Sequence, residues 1–148
     1  MAKSYRLRIG RRSIANQIYL ITTVCRDRRP YFNELHSARC VVKTLMEMQP
    51  SATTLCYVVM PDHLHWLMQL RPGAELSATV KCMKAMTSRR MKLLTPAMGS
   101  LWQKGFHDRA IRREESLRTV ARYIVANPLR GGLVKSLGQY PFWDATWL

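Results

Sequence analysis

Apolar residues recur along this chain at two spacings, every second residue and every three to four. The switches between them mark out the elements. Gln17–Val24, dense in β-branched and aromatic residues, predicts a first strand, and the charged run Arg26-Asp27-Arg28-Arg29-Pro30 closes it. From Asn33 to Gln49, Leu35, Ala38, Val41, Val42, Leu45, Met46 and Met48 follow helical spacing, with Asn33 as N-cap and Pro50 as stop. Thr53–Met60 and His63–Leu70 predict two further strands. Pro61-Asp62 between them is short enough for an antiparallel hairpin.

After Arg71-Pro72-Gly73, the stretch Ser77–Leu94 reads as a basic amphipathic helix. Its Val80, Met83, Met86 and Met91 are expected to make core contacts. A short strand is expected at Phe106–Ile111. A helix then runs from Glu114 to about Asn127, its acidic first turn complementing the helix dipole, with Asn127-Pro128 ending it. The order β-α-β-β-α-β followed by a helix predicts an α+β, ferredoxin-like antiparallel sheet with a C-terminal helix and the His63 strand lying centrally. One domain over residues 1–148 is expected. Residues 1–15 form a basic arm, and 135–148 an aromatic tail whose Trp143 and Trp147 pack on the sheet.

Charge narrows the function. Lys and Arg number 24 against 9 acidic residues, a formal net charge of +15. Solubility alone needs a magnitude of only about 2–8, so the excess points to a polyanionic partner. No run of 18 apolar residues and no signal peptide is visible, which favours nucleic acid over membrane and a cytoplasmic location. Cys25, Cys40, Cys56 and Cys82 lack C-x-x-C spacing and read as small buried hydrophobes rather than zinc ligands. Candidate phosphate contacts are Arg6, Arg8, Arg11, Arg12, Lys81, Lys84, Arg89, Arg90, Arg112 and Arg113.

His63-Leu64-His65 carries the sharpest chemical signal. Residues two apart on a strand share a face, so both imidazoles project together and Leu64 enters the opposite layer. Neutral imidazole is the commonest metal-ligating side chain, so the pair is half of a metal site. H-x-H alone is common, however, and two histidines near a strand end can simply hydrogen-bond. Tyr123 and Asn127 are four residues apart and share a helix face. Ile124 and Val125 could anchor that helix while Tyr123 and Asn127 face the sheet, bringing a phenol and an amide oxygen towards the imidazoles. A core tyrosine and a helix C-cap account for the pattern equally well.

The segments MPDHLHWLM, WQKGFHDRAIR and RYIVANPLRGGLV, in this order and spacing, resemble the REP-associated tyrosine transposases (REP, repetitive extragenic palindrome). These are single-tyrosine HUH transposases, HUH meaning His-hydrophobic-His. The likeness runs from about Tyr19 to Val134. It implies a ferredoxin-like fold, a divalent metal (Mg²⁺ or Mn²⁺) held by His63, His65 and Asn127, and Tyr123 as nucleophile. The ligand at Asn127 is glutamine in some relatives. The implied reaction is cleavage and rejoining of single-stranded hairpin DNA through a 5′-phosphotyrosine. The implied state is a monomer with no obligate protein partner, the dimer of related insertion-sequence transposases being the alternative. Two rival readings remain. One is a non-catalytic single-stranded nucleic-acid-binding protein on the same sheet, although RNA recognition motifs put aromatics where this chain has histidines. The other is a water-using phosphodiesterase in which Tyr123 is structural.

Overall fold

The structure is a computed structural model and describes residues 15–112, 114–130 and 143–145. Strand β1 (Ile18–Val24) leads through a short turn at Arg26–Arg28 into helix α1 (Leu35–Glu47). Strands β2 (Ala52–Met60) and β3 (His63–Leu70) form a hairpin, and helix α2 (Leu76–Leu94) crosses back to β4 (His107–Ile111). Helix α3 (Glu114–Val125), the single helical turn α4 (Asn127–Arg130) and β5 (Trp143–Ala145) follow. The sheet order is β4-β1-β3-β2-β5, every neighbouring pair antiparallel. Its first four strands are the expected ferredoxin-like sheet, with β3 in the middle. The fifth was not anticipated. Three residues of the tail extend the sheet at β2, a pairing too short to leave a period-two pattern of its own.

Each face of the sheet carries its own core, which the alternation along the strands dictates. Tyr19, Ile21, Val59, Leu64, Trp66, Met68 and Leu70 pack against Ala38, Val41 and Leu45 of α1 and Leu76, Val80, Met83 and Met91 of α2. Cys56, Val58, Met60, Leu67 and Ile111 pack against Leu117, Val120, Ala121, Ile124 and Val125 of α3. The methionine stripe of α2 is thus core, as its spacing predicts.

Three local expectations are corrected. Helix α1 starts at Leu35, because Phe32 N–H donates to the Pro61 carbonyl (2.9 Å) and Glu34 is still extended, so Asn33 is not the cap. The chain does not stop at Asn127-Pro128; after Ala126 it re-enters a helical turn, whose first turn accepts proline without losing a hydrogen bond. Cys82 is exposed, while Cys25, Cys40 and Cys56 are buried, and all four are free thiols. The basic arm and Trp147 lie outside the described residues.

One half-buried cation ties α2 to the segment that enters β4. Lys84 Nζ donates to the carbonyls of Gln103 (2.9 Å) and Gly105 (2.7 Å), and Trp102 Nε1 donates to the Lys84 carbonyl (3.1 Å). Burial pushes its ammonium down to about 8, while the two carbonyls favour the charged form. This clamp holds the segment entering β4 against α2. Replacing Lys84 by Ala leaves those carbonyls unsatisfied and is expected to lower folding stability by about 1–3 kcal/mol. Lys81→Ala on the exposed side of the same helix should change it by less than about 0.5 kcal/mol. Urea denaturation of the two variants checks the difference, and equal effects would remove the clamp's structural role.

Candidate active site

Met60 pairs with His63 in the β2–β3 hairpin, leaving Pro61-Asp62 as a two-residue turn. The turn is fastened from outside, since Cys25 N–H donates to the Asp62 carbonyl (2.9 Å) and Phe32 N–H to that of Pro61. His63 therefore leaves a rigid corner. Leu64 is fully buried in the first core, so His63 and His65 project from the other face, the one α3 partly covers. Their ring centroids lie 4.9 Å apart and nearly perpendicular, at 83°.

Both rings are tethered through the same nitrogen. His63 Nδ1 lies 2.7 Å from Asp62 Oδ1, and His65 Nδ1 lies 3.0 Å from Thr22 Oγ1 on β1. Burial acts to raise the Asp62 carboxyl. The hydrogen bond and attraction of His63, then those of Arg28 at 3.2 Å, outweigh it and hold Asp62 below the ordinary carboxylate range. An ionised carboxylate only accepts, so His63 Nδ1 carries a proton and Nε2 is the ring nitrogen left to face a ligand. Thr22 can accept from Nδ1 of His65 in the same way. Two Nε2 lone pairs on one face of a central strand suit a divalent cation, with outer partners of the kind that orient metal-bound histidines. Among the described residues no group of three or more His, Cys, Asp or Glu side chains could hold a metal ion. Among the described residues a third protein donor would be of another type, such as an amide oxygen.

Helix α3 crosses this face. Its buried side (Leu117, Val120, Ala121, Ile124, Val125) sits on the second core, with Cys56 Sγ 3.9 Å from the Ala121 carbonyl. Those positions take the sheet-facing arc and turn Ser116, Thr119 and Tyr123 onto the flank. Tyr123 does not face the sheet as expected. It is 62% exposed and forms one wall of a cleft of about 440 Å³, lined also by Leu20, Arg109, Ser116, Thr119 and Val120. Asn127 is half-buried and opens α4, one turn beyond Tyr123. His63, His65 and helix α3, which carries Tyr123, thus belong to one side of the sheet, and Asn127 follows α3 at the start of α4.

The candidate cations divide. Arg6, Arg8, Arg11, Arg12 and Arg113 lie outside the described residues. Lys81 and Arg89 are exposed, but α2 covers the sheet face opposite the histidines. Lys84 is committed to the clamp. Arg90 bonds Thr44 Oγ1 (2.7 Å) and pairs with Glu47. Arg112 is exposed just after β4. Arg109, absent from the sequence-based candidates, is exposed on β4 at the cleft. Its signal was available in the alternation His107, Arg109, Ile111, but which face that set occupies depends on the β1–β4 register, which pairs Arg109 with Leu20 and His107 with Thr22.

Comparison with known proteins bears on the family and the fold. The sequence profile of the family described as "Transposase IS200 like" matches residues 13–127. A Haemophilus influenzae protein assigned as a REP-associated tyrosine transposase is 27% identical, over 84% of this chain and 77% of its own length. The Escherichia coli K12 REP-associated tyrosine transposase is 33% identical, over 58% of this chain and 50% of its own. Among solved structures, a REP-associated tyrosine transposase bound to a REP hairpin superposes with a TM-score of 0.77 at 22% identity, covering 92% of this chain and 81% of that one. A Deinococcus radiodurans protein assigned as a transposase gives 0.56 at 18% identity, over 79% and 95%. With a profile match across most of its length, the chain belongs to the IS200-like transposases, and the curated relatives it resembles are REP-associated tyrosine transposases.

Proposed function

We propose that this enzyme cleaves and rejoins single-stranded, hairpin-containing DNA by tyrosine transesterification. The observation that carries the reading is the pair of Nδ1-tethered imidazoles on the sheet face crossed by α3, the helix of Tyr123. The Tyr123 hydroxyl gives up its proton and attacks the phosphorus of the scissile phosphodiester. The bond to the 3′ oxygen breaks, leaving a free 3′-OH and a 5′-phosphotyrosine. One ester replaces another, so no nucleotide cofactor is consumed, and attack by a 3′-OH reverses the step and joins strands. His63, His65 and the Asn127 amide oxygen would hold Mg²⁺ or Mn²⁺. Such an ion, when bound, polarises the phosphate and offsets charge developing on it. Asp62 and Thr22 hold the rings by Nδ1, which would leave Nε2 of each available to such an ion. The chain's excess of cations supplies phosphate affinity, with Arg109 at the tyrosine cleft. The names of its relatives point to REP-type palindromes as substrate. A monomer is part of the same proposal, and among the described residues no helix is long and apolar enough to cross a membrane.

Tyr123→Phe removes one hydroxyl and keeps the ring. It is expected to abolish the covalent adduct on labelled hairpin DNA in denaturing gels while retaining DNA affinity within a few-fold. A surviving adduct would assign the nucleophile elsewhere.

The outer partners make a second test. Asp62→Asn and Thr22→Val are each expected to weaken Mn²⁺ affinity by roughly 10–100-fold, read directly by calorimetric titration of the protein without DNA. Unchanged affinity in both variants would exclude the imidazole pair as the metal's seat.

Asn127 is tested by a pair of substitutions. Ala should raise the Mn²⁺ concentration needed for half-maximal cleavage, and Gln should restore much of it by offering the same amide oxygen on a longer arm. If Asn127 only supports the helical break, Ala instead lowers thermal stability, by up to about 1 kcal/mol, and leaves the metal titration unmoved.

A further inference from the structure

The cleft beside Tyr123 has the dimensions and chemistry of a ligand site that the cleavage step does not use. Its volume of about 440 Å³ falls among small-ligand pockets, roughly 300–1,000 Å³. Its lining is of three kinds: aliphatic Leu20 and Val120, the hydroxyls of Ser116 and Thr119, and the Arg109 guanidinium, with the Tyr123 ring closing one side. Aliphatic surface accepts the face of a planar ring, hydroxyls meet its polar edge, and arginine can stack on a base or pair with its phosphate. A bare phosphate would have no use for the aliphatic walls, and a purely apolar ligand would leave Arg109 desolvated and unpaired.

Register fixes where this cleft lies relative to the histidines. Leu20 pairs with Arg109 on one side and Leu67 on the other; one same-face step along β1, Thr22 pairs with His107 and His65. Two residues of strand are about 7 Å. The cleft therefore begins one side-chain row from Thr22, whose hydroxyl holds His65, and is walled by the tyrosine itself. Whatever phosphate reaches Tyr123 brings its neighbouring nucleotide to the cleft mouth.

We propose that the cleft receives the base of one unstacked nucleotide adjoining the scissile phosphate, with Arg109 and Thr119 as specificity-determining contacts. This rests on the reading of Tyr123 as nucleophile. A base stacked and paired in a duplex cannot enter such a recess, so the cleft selects single-stranded DNA at the cleavage point, independently of any contact to the hairpin stem.

The test is an abasic scan crossed with cleft variants. Hairpin oligonucleotides of REP type, each with one nucleotide of the flanking single strand replaced by an abasic spacer, are titrated against the full chain without divalent ion. In this format binding is read without cleavage. Wild type should lose roughly 5- to 100-fold in affinity when the base in the cleft is removed. Thr119→Trp fills the cleft, and Arg109→Gln removes its charge; both positions are exposed, and circular dichroism melting checks that the variants fold. Each variant should bind intact DNA more weakly. Thr119→Trp should no longer sense the abasic spacer at that one position while sensing it elsewhere as wild type does. Cleavage of intact DNA by wild type then maps that position to a neighbour of the cut phosphate. If no position shows coupling with Thr119→Trp, or if the coupled position lies away from the cut, the cleft is not a nucleotide site. Absence of a covalent adduct on Tyr123 overturns the catalytic reading separately, since coupling is measured by binding alone.

Discussion

Strand β3 must satisfy two cores at once, and the remainder of the molecule is arranged around that constraint. Leu64, Trp66, Met68 and Leu70 enter the layer of α1 and α2, and Leu67 enters the layer of α3. A shift of one residue in register would exchange the faces, burying both imidazoles among aliphatic side chains and exposing Leu64 and Trp66. Burial of those side chains, about 1.5–3 kcal/mol each for large apolar residues, thus holds the histidines on the face where they are useful. Trp66 is pinned further by its Nε1–H donating to Thr54 Oγ1 at 2.9 Å.

On that scaffold the site is assembled from short-range restraints. The Pro61-Asp62 turn is tied to the exit of β1 and to the lead-in of α1, so the Asp62 carboxylate beside His63 sits on a fixed support. Thr22 reaches His65 from the neighbouring strand because the β1–β3 register pairs those two residues. Cys25, buried at the same corner, has its thiol pushed up to about 12 by burial and then by the Asp62 charge, against a lowering contact from the Tyr31 backbone. It is a buried, protonated filler of this corner.

The positive charge has two functions that composition merges. Lys84 and Arg90 hold helices and loops together through carbonyls, Thr44 and Glu47. Lys81 and Arg89 are solvated on the far side of the sheet, and Arg109 lies at the tyrosine cleft. Of these, Arg109 is the one that shares a cleft with Tyr123.

Much of this was legible in the residues. The strand and helix patterns gave β1 to β4, α1 and α2 nearly to the residue, because period and breakers are local properties. The histidine pair followed from strand geometry, and the family from three motifs in order. Other features were not local. The fifth strand is three residues whose only reason to be extended is the open edge of β2. Tyr123 turns to the flank of α3 because five apolar side chains compete for the sheet-facing arc, a contest decided by the core they enter. Thr22, Asp62 and Arg109 became part of the site through strand register and turn anchoring. Sequence by itself determined which residue types and spacings were present; tertiary structure decided which of them meet, because pairing between strands distant in the chain is set by the summed burial of both faces rather than by any one segment's preference.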